Sequence, residues 1–305
     1  MKKVATFLKL PKITDYPLSK EDYLQSYFEL RNQVLEQGMD FYIVRGQQTY
    51  SGNGKFSQSW QFTNDRQLVA AGEVTADVIF DKGEFVSDQF SKVFNAAFIN
   101  DVCTDKWKMY QLFREYCPAT YLVHEQAELQ PILAKVSTKL AVIKPVDGEE
   151  GQGVYIDLQE NLLKNEYVYP VLVQEFLDSS PGIPHIVEGL HDFRVALVDG
   201  EIHYSYVRTP PQGSYLANVA RGGRFAMVKP ADVPQAAQEI CKKIHSTMGA
   251  YGHSFYGIDF AFTPQGPKII EMNSRLGLLP NKDSEEFVTL KEKLAEIFYD
   301  MATSS

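Results

Sequence analysis

GIDFAFTPQGPKIIEMNSRLGLL, residues 257–279, holds two short apolar runs around a turn-rich break at Thr263, Pro264, Gln265, Gly266 and Pro267, the pattern of a β-hairpin. A five-residue loop is expected, with Phe262 opposite Lys268 across the ladder. That register sets Asp259 directly opposite Glu271 and Asn273 diagonal to Asp259 on the same face, because strand side chains alternate. The reverse face then carries Ile258, Phe260, Ile270 and Met272, enough apolar surface to be buried. Two facing carboxylates repel, so a positive group is expected between them. Three oxygen donors without sulfur or imidazole suit a hard cation, Mg2+ with Mn2+ as the alternative. The competing reading is a hairpin with one solvated face; a loop one residue shorter would split the two acids between faces.

The whole chain has 305 residues, is 44% hydrophobic and carries a net charge of −9. That length predicts more than one domain or subdomain around a sizeable core. The acidic balance argues against a general nucleic-acid binder and against an anionic-membrane binder. No stretch reads as a transmembrane span, and the Met-Lys-Lys start lacks the apolar core of a signal peptide. Cys103, Cys117 and Cys241 are odd in number and widely spaced, as expected of reduced thiols in a cytoplasmic protein.

Residues 1–100 read as an α/β unit. Ser19 is the expected N-cap of a helix with Glu21 and Asp22 in its first turn, Tyr23, Tyr27, Leu30 and Val34 along one side, and Gly38 at its end. Strands are expected at 41–44 and 78–80, a polar loop at 47–59, and a helix through Phe90, Val93, Phe94 and Ala97. Thr104 opens a further helix with Trp107, Tyr110 and Phe113 inward. Lys106 and Lys108 sit in its first turn, where positive charge opposes the dipole and a nearby anion would give it a purpose.

A polar helix is expected near 125–135, although Pro131 shortens it. A strand at 140–144 ends on Lys144 before a glycine-rich loop, Gly148, Gly151 and Gly153, whose backbone can close over phosphates. A strand follows at 171–177. Asp199-Gly200 signals a two-residue hairpin in which Phe193, Val195 and Leu197 share a face with Ile202, Tyr204 and Tyr206, leaving Asp192 and Arg194 with His203 and Ser205. Arg208, Arg221, Arg224 and Arg275 in an acidic chain point to anion recognition. Two helices close the chain, one lined by Ala237, Ile240, Ile244 and Met248, the other by Leu290, Leu294, Ile297 and Met301.

In this order, Lys106, the strand lysine Lys144 before its flap, Gln174-Glu175-Phe176-Leu177, Asp192-x-Arg194, Asn218-x-x-Arg221-Gly222-Gly223, and Asp259 followed by Glu271-x-Asn273 resemble the ATP-grasp superfamily of carboxylate–amine ligases. The pattern is similar to the glutathione synthetase and ribosomal-protein glutamate ligase group, over about residues 106–279. The resemblance implies a mixed α+β and α/β chain: an N-terminal α/β (pre-ATP-grasp) domain at 1–103, a small lid subdomain at 104–177 and a large C-terminal subdomain at 178–305. ATP would lie between the two subdomains. Lys106 and Lys144 would contact the phosphates, Lys144 also lying near the adenine. The hinge at Gln174, Glu175 and Leu177 would read the adenine edge, and Asp178 would hold the ribose hydroxyls. Asp259, Glu271 and Asn273 would bind Mg2+ bridging the phosphates; Arg208 would stand near the transferred phosphoryl group, and Asn218 and Arg221 near the acyl substrate.

The implied activity is ADP-forming ligation of a small-molecule or peptide carboxylate to an amine through an acyl phosphate, in a homodimer. Phosphoryl transfer depends mainly on positioning and charge neutralisation, so it needs no dedicated nucleophile. The rivals are a non-catalytic ATP-binding module and a kinase-like transfer to a hydroxyl. Two departures from the pattern are the acidic flap, with Asp147, Glu149 and Glu150, and Ser274-Arg275-Leu276-Gly277, where relatives often carry a proline-glycine pair.

Overall fold

Three sheets follow one another along the chain. The computed structural model describes residues 1–86, 90–148, 151–217, 222–279 and 284–304. The first sheet holds β1 (Lys2–Leu8), β2 (Met39–Arg45), β3 (Tyr50–Gly52), β4 (Lys55–Phe62), β5 (Leu68–Thr75), β6 (Val78–Asp81) and β7 (Val93–Phe94), with α1 (Glu21–Glu36) between β1 and β2. Its order is β3-β4-β2-β1-β6-β7, with β5 paired to β4, and the run β2-β1-β6-β7 is parallel. The chain leaves β1 toward β2 on one side while β6 lies on the other. The carboxyl ends of β1 and β6 therefore flank a topological switch point, where open α/β sheets form crevices.

Several local expectations are corrected here. Lys20, not Ser19, precedes α1, and no side chain caps that helix. The expected loop at 47–59 instead holds β3 and the first part of β4, which pair with each other as a tight hairpin. Val93 and Phe94 form a strand rather than a helical turn, because Asn95 takes a left-handed φ of 64° and α2 (Ala97–Thr104) starts only after it. Thr104 ends α2. The next helix, α3 (Lys106–Phe113), is capped by Asp105, whose carboxylate accepts from the N–H groups of Trp107 and Lys108 at 2.9 Å each. That phase buries Lys106, Met109 and Phe113, and leaves Trp107 and Tyr110 stacked on each other and half-buried.

The second sheet, β10-β9-β11-β8, is built from β8 (Thr120–Val123), β9 (Leu140–Pro145), β10 (Tyr155–Leu158) and β11 (Val171–Glu175), with α4 (Gln126–Leu133) and the short α5 (Gln159–Leu162). β11 stops at Glu175, short of the expected Leu177, and α4 runs through Pro131. The third sheet, β14-β13-β12-β15-β16, consists of β12 (Asp192–Val198), β13 (Glu201–Thr209), β14 (Arg224–Val228), β15 (Phe255–Thr263) and β16 (Gly266–Asn273), all antiparallel. α6 (Gln235–Met248) and α2 pack on one face, and α7 (Glu285–Thr303) on the other. α7 also joins the third sheet to the first: Phe298 meets Phe80 and Phe94 at 5.2 and 5.5 Å between ring centroids. Such aromatic pairs add about 0.5–1.5 kcal/mol each beyond their buried area.

Two single-residue bulges fix the faces of this third sheet. In the hairpin of β15 and β16 the loop is only Pro264-Gln265, since Thr263 pairs with Gly266 and Ala261, not Phe262, faces Lys268. Without irregularity that short loop would place Ile270 opposite Asp259; the ladder shifts by one at Ile270, and Asp259 faces Glu271 after all. The buried face consequently carries Ile258, Phe260, Ile269 and Met272, while Ile270 leaves the core. The hairpin of β12 and β13 has its expected two-residue loop, but a shift at His203 puts Ser205 opposite Val195 and Tyr206 opposite Arg194. Tyr204 and Tyr206 thus lie on Arg194's side, not with Phe193.

Candidate active site

Together the bulges produce one row across four strands. Tyr206, Arg194, Asp259 and Glu271 are directly opposite one another, each pair in register. The expected positive group between the two acids is a side chain of the neighbouring strand. Arg194 donates from Nε and Nη2 to the two oxygens of Asp259 at 2.5 Å each and lies 3.9 Å from Glu271. Arg208 donates from Nη2 to Asp259 at 2.7 Å, and from Nε and Nη2 to Asp192 at 2.8 and 2.6 Å. Both guanidinium carbons sit 5.8 Å from the centroid of the Tyr206 ring, a cation–π distance.

Asp259 is 1% exposed. Burial pushes its pKa up, but the two guanidinium groups outweigh it and hold the carboxyl below the usual range. Asp192 moves the other way, raised by burial and by the charge of Asp259. In the sequence Arg194 stands only as part of the Asp192-x-Arg194 pattern, with no role of its own; the signal is that pair on a strand beside the acidic hairpin.

Two cavities flank this row. The first, about 140 Å³, lies between the second and third sheets and is lined by Lys106, Lys144, Gln174, Glu175, Leu177 and Glu271 among others. The Lys144 amine donates to Ile270 O at 3.1 Å, and its pKa is brought down to about 8, chiefly by burial and partly restored by Glu271. The Lys106 amine, also depressed by burial and supported by Glu271 and Asp147, holds the flap through Gly148 O at 2.5 Å. Gly148 rests on Pro145, whose Cγ would be 2.5 Å from a Cβ added there. Apolar walls come from Val142, Ile156, Leu216 and the bulged Ile270. Gln174 is buried against Thr120 (Nε2 to Oγ1, 2.7 Å), and the Glu175 carboxylate accepts from Ser137 and from Ala119 N. Asp178 is not on this wall: it is exposed and accepts from Ser180 N at 3.0 Å.

The second cavity, about 890 Å³, lies at the switch point of the first sheet, facing the third. Lys9 and Leu10 after β1, Lys82 and Glu84 after β6, Tyr16, Tyr23, Arg194, Arg208, Asn273 and Arg275 line it. Lys106, Gly148 and Glu271 line both cavities. Asn218 and Arg221 lie outside the described residues, as do the flap acids Glu149 and Glu150.

The donor set can be tested for a hard cation. Glu271 and Asn273 stand 3.3 Å apart (Oε1 to Nδ2) on the cavity wall, and turning the amide over would offer its oxygen beside the carboxylate. Asp259 already spends three acceptor positions on guanidinium donors. The open oxygen donors are therefore Glu271 and Asn273, a set that fits an ion completed by water and phosphate oxygens. Among the described residues no cluster of three or more His, Cys, Asp or Glu side chains could hold a metal. The three cysteines are buried and unpaired, and no described helix is long and apolar enough to cross a membrane.

Comparison with known proteins matches residues 107–274 to the family model of the prokaryotic glutathione synthetase ATP-grasp domain. A probable alpha-L-glutamate ligase 1 of Pseudoalteromonas atlantica is 28% identical over 168 residues, 53% of this chain and 51% of the relative. A glutathione synthetase of Prochlorococcus marinus is 32% identical over 126 residues, 39% of this chain and 37% of the relative. A probable alpha-L-glutamate ligase of Shewanella halifaxensis is matched over 33% of its length; the chain thus spans about half or less of the curated relatives it matches. Among solved structures, a Chryseobacterium gregarium RiPP-associated ATP-grasp ligase superposes with a TM-score of 0.63 at 12% identity, over 98% of this chain and 97% of that one. The D-Ala:D-Ser ligase VanG of Enterococcus faecalis gives 0.61 at 14% identity, over 97% and 99%. These likenesses show the fold over nearly the full length, first sheet included. The chain belongs to the ATP-grasp family of prokaryotic glutathione synthetases.

Proposed function

We propose that this chain is an ADP-forming carboxylate–amine ligase that uses Mg2+–ATP. The observation that carries the reading is the meeting of the two cavities at Lys106, Gly148 and Glu271. ATP in the first cavity would present its terminal phosphate where the second cavity presents a carboxylate. Support also comes from neighbours of the same fold: one was solved with ADP and a leader and core peptide, another with Mg and ADP.

In this reading the adenine lies against Ile156, Leu216 and Ile270, with its edge toward the backbone of Glu175 and Leu177. The ammonium groups of Lys106 and Lys144 neutralise the phosphates, a role their burial strengthens because water screens them less. Glu271 and Asn273 would hold Mg2+, with Asp259 behind them; when bound, the ion supplies charge stabilisation to the transferring phosphoryl group. Arg208 and Arg194, fixed by Asp192 and Asp259, face the second cavity and bind the incoming carboxylate. Its oxygen attacks the γ-phosphorus, the bond to the β-phosphate oxygen breaks, and ADP leaves with that electron pair. The amine then attacks the acyl carbon, loses a proton and expels phosphate. Asn218 and Arg221 are assigned near the acyl group from the motif order alone. The substrates are small amino acids or peptides; a homodimer is the expected assembly and the cytoplasm the expected compartment.

The test is incubation with Mg2+–ATP, hydroxylamine and a panel of amino acids and peptides including L-glutamate. Hydroxamate formed in step with ADP supports the ligase. Tight ATP binding with no ADP from any carboxylate points instead to a nucleotide-binding module, and a stable phosphorylated product to a kinase.

A further inference from the structure

The second cavity is walled on one side by residues 9–17, a segment without regular structure that supplies Lys9, Leu10, Tyr16 and Pro17 to the lining. A loop of that length on a cavity wall needs something other than a ladder to keep its shape. Its anchor comes from behind. Arg45, the last residue of β2, is 0% exposed and is not part of the cavity lining. Its guanidinium donates to three carbonyls of this one segment: Nε to Leu10 O at 2.6 Å, Nη1 to Asp15 O at 3.3 Å and Nη2 to Tyr16 O at 3.0 Å.

The choice of an arginine is informative. Burying a charge is costly unless it is well paired; here the guanidinium bonds neutral carbonyls, and the nearby Asp15 carboxylate of the same segment favours its charged form. The planar fork of donors spans three carbonyls at fixed angles, which a lysine ammonium on a single point cannot do. Other contacts of the segment include Lys12 N to Asp15 Oδ2 at 3.0 Å, Lys9 to Glu84 at 2.7 Å and Tyr16 to Tyr23 hydroxyls at 3.0 Å, while Ile13 packs against the core.

We propose that Arg45 is a positioning residue that holds residues 9–17 as a preformed wall of the second cavity and thereby sets which non-nucleotide substrate the cavity accepts. The proposal rests on the ligase reading for the cavity's use, but its structural half does not. Substrate recognition without Arg45 has to order the loop at the moment of binding, and the cost appears in substrate affinity rather than in phosphoryl transfer.

The experiment uses the full chain, its Arg45→Met and Arg45→Lys variants, and trypsin as a probe of local opening at the exposed Lys9 and Lys12. Cleavage at these two sites rises at least tenfold in Arg45→Met and less in Arg45→Lys, while sites in the second sheet and the affinity for Mg2+–AMP-PNP stay within twofold. An unchanged rate, or an equal rise at every site, overturns the proposal. So does a native chain cut after Lys12 as fast as a free peptide of the same sequence, which settles the matter even if a variant fails to fold. In ADP-release assays with hydroxylamine and L-glutamate as probe, KM for glutamate rises at least tenfold with kcat and the KM for ATP within twofold. A fall in kcat at constant KM overturns it. Absence of glutamate-dependent ADP release in the native enzyme counts against glutamate as substrate, and proteolysis then decides on Arg45 by itself.

Discussion

Arg194 and Asp259 form a two-pronged ion pair across neighbouring strands, with both nitrogen–oxygen distances at 2.5 Å and the carboxylate 1% exposed. Asp259→Asn keeps the shape and removes the charge that two buried guanidinium groups depend on. Breaking a buried pair in this way costs about 3–5 kcal/mol. Denaturant melts of the variant should show that loss, with the midpoint falling and the slope unchanged. A loss below about 1 kcal/mol would mean that water reaches the pair.

Glu271→Gln should behave in the opposite manner. Glu271 is partly exposed and touches Asn273 at 3.3 Å and Arg194 at 3.9 Å, so its charge contributes little to the fold, within roughly 0.5 kcal/mol. ADP formation should nevertheless fall by roughly 10²–10³, the usual loss when one electrostatic contact to a transferring phosphoryl group is removed. Because Glu271 supports the charged forms of both Lys106 and Lys144, the alkaline limb of nucleotide binding should also move to lower pH in the variant. Calorimetric titration with AMP-PNP at several pH values checks this; an unmoved limb would separate Glu271 from the lysines.

Lys144→Met should stabilise the protein while abolishing nucleotide binding. The folded amine titrates near 8 instead of 10.5, chiefly because it is buried. Between those values the unfolded chain binds the proton more tightly, so native stability rises with pH across that window. The penalty is full below pH 8 and gone above 10.5. The variant should therefore gain on the order of 3 kcal/mol at neutral pH, with the gain shrinking as pH rises from 8. Thermal melts of both proteins from pH 7 to 10 test the sign.

Gly83→Ala should damage the second cavity selectively. A Cβ at that position would lie 2.4 Å from Lys9 N and 2.8 Å from Leu8 C, both backbone atoms that cannot swing aside. The ends of β1 and β6 must part, at about 1–3 kcal/mol of overpacking strain. Affinity for AMP-PNP should remain native, since Gly83 is not among the residues that line the first cavity, proposed to take the nucleotide; a large loss of that affinity would contradict the separation of the two cavities.

The local chemistry of the site was legible in the sequence and its backbone geometry was not. Lys144 before a flap and two acids on a hairpin can be read because residue type and spacing carry them. The sequence of that hairpin suggests a five-residue loop where the structure has two, and the acids still meet because Ile270 is extra in its strand. The same kind of insertion at His203 made the other hairpin's faces come out reversed. A bulge leaves no reliable composition signal, while each one turns every later side chain to the opposite face. Arg45 was invisible for a different reason: its partners are carbonyls 29 to 35 residues away, and main-chain acceptors have no signature in sequence.

Among the described residues the two cavities share Lys106, Gly148 and Glu271, and this narrow junction has a kinetic consequence. A nucleotide filling one chamber does not obstruct the other, so neither reactant has to arrive first and no product has to depart before the second reactant enters. Initial velocities measured against ATP at several concentrations of a carboxylate should give double-reciprocal lines that intersect, the mark of sequential addition, and not the parallel lines of a substituted-enzyme route; a dead-end analogue of either reactant should inhibit noncompetitively against the other, the mark of random order.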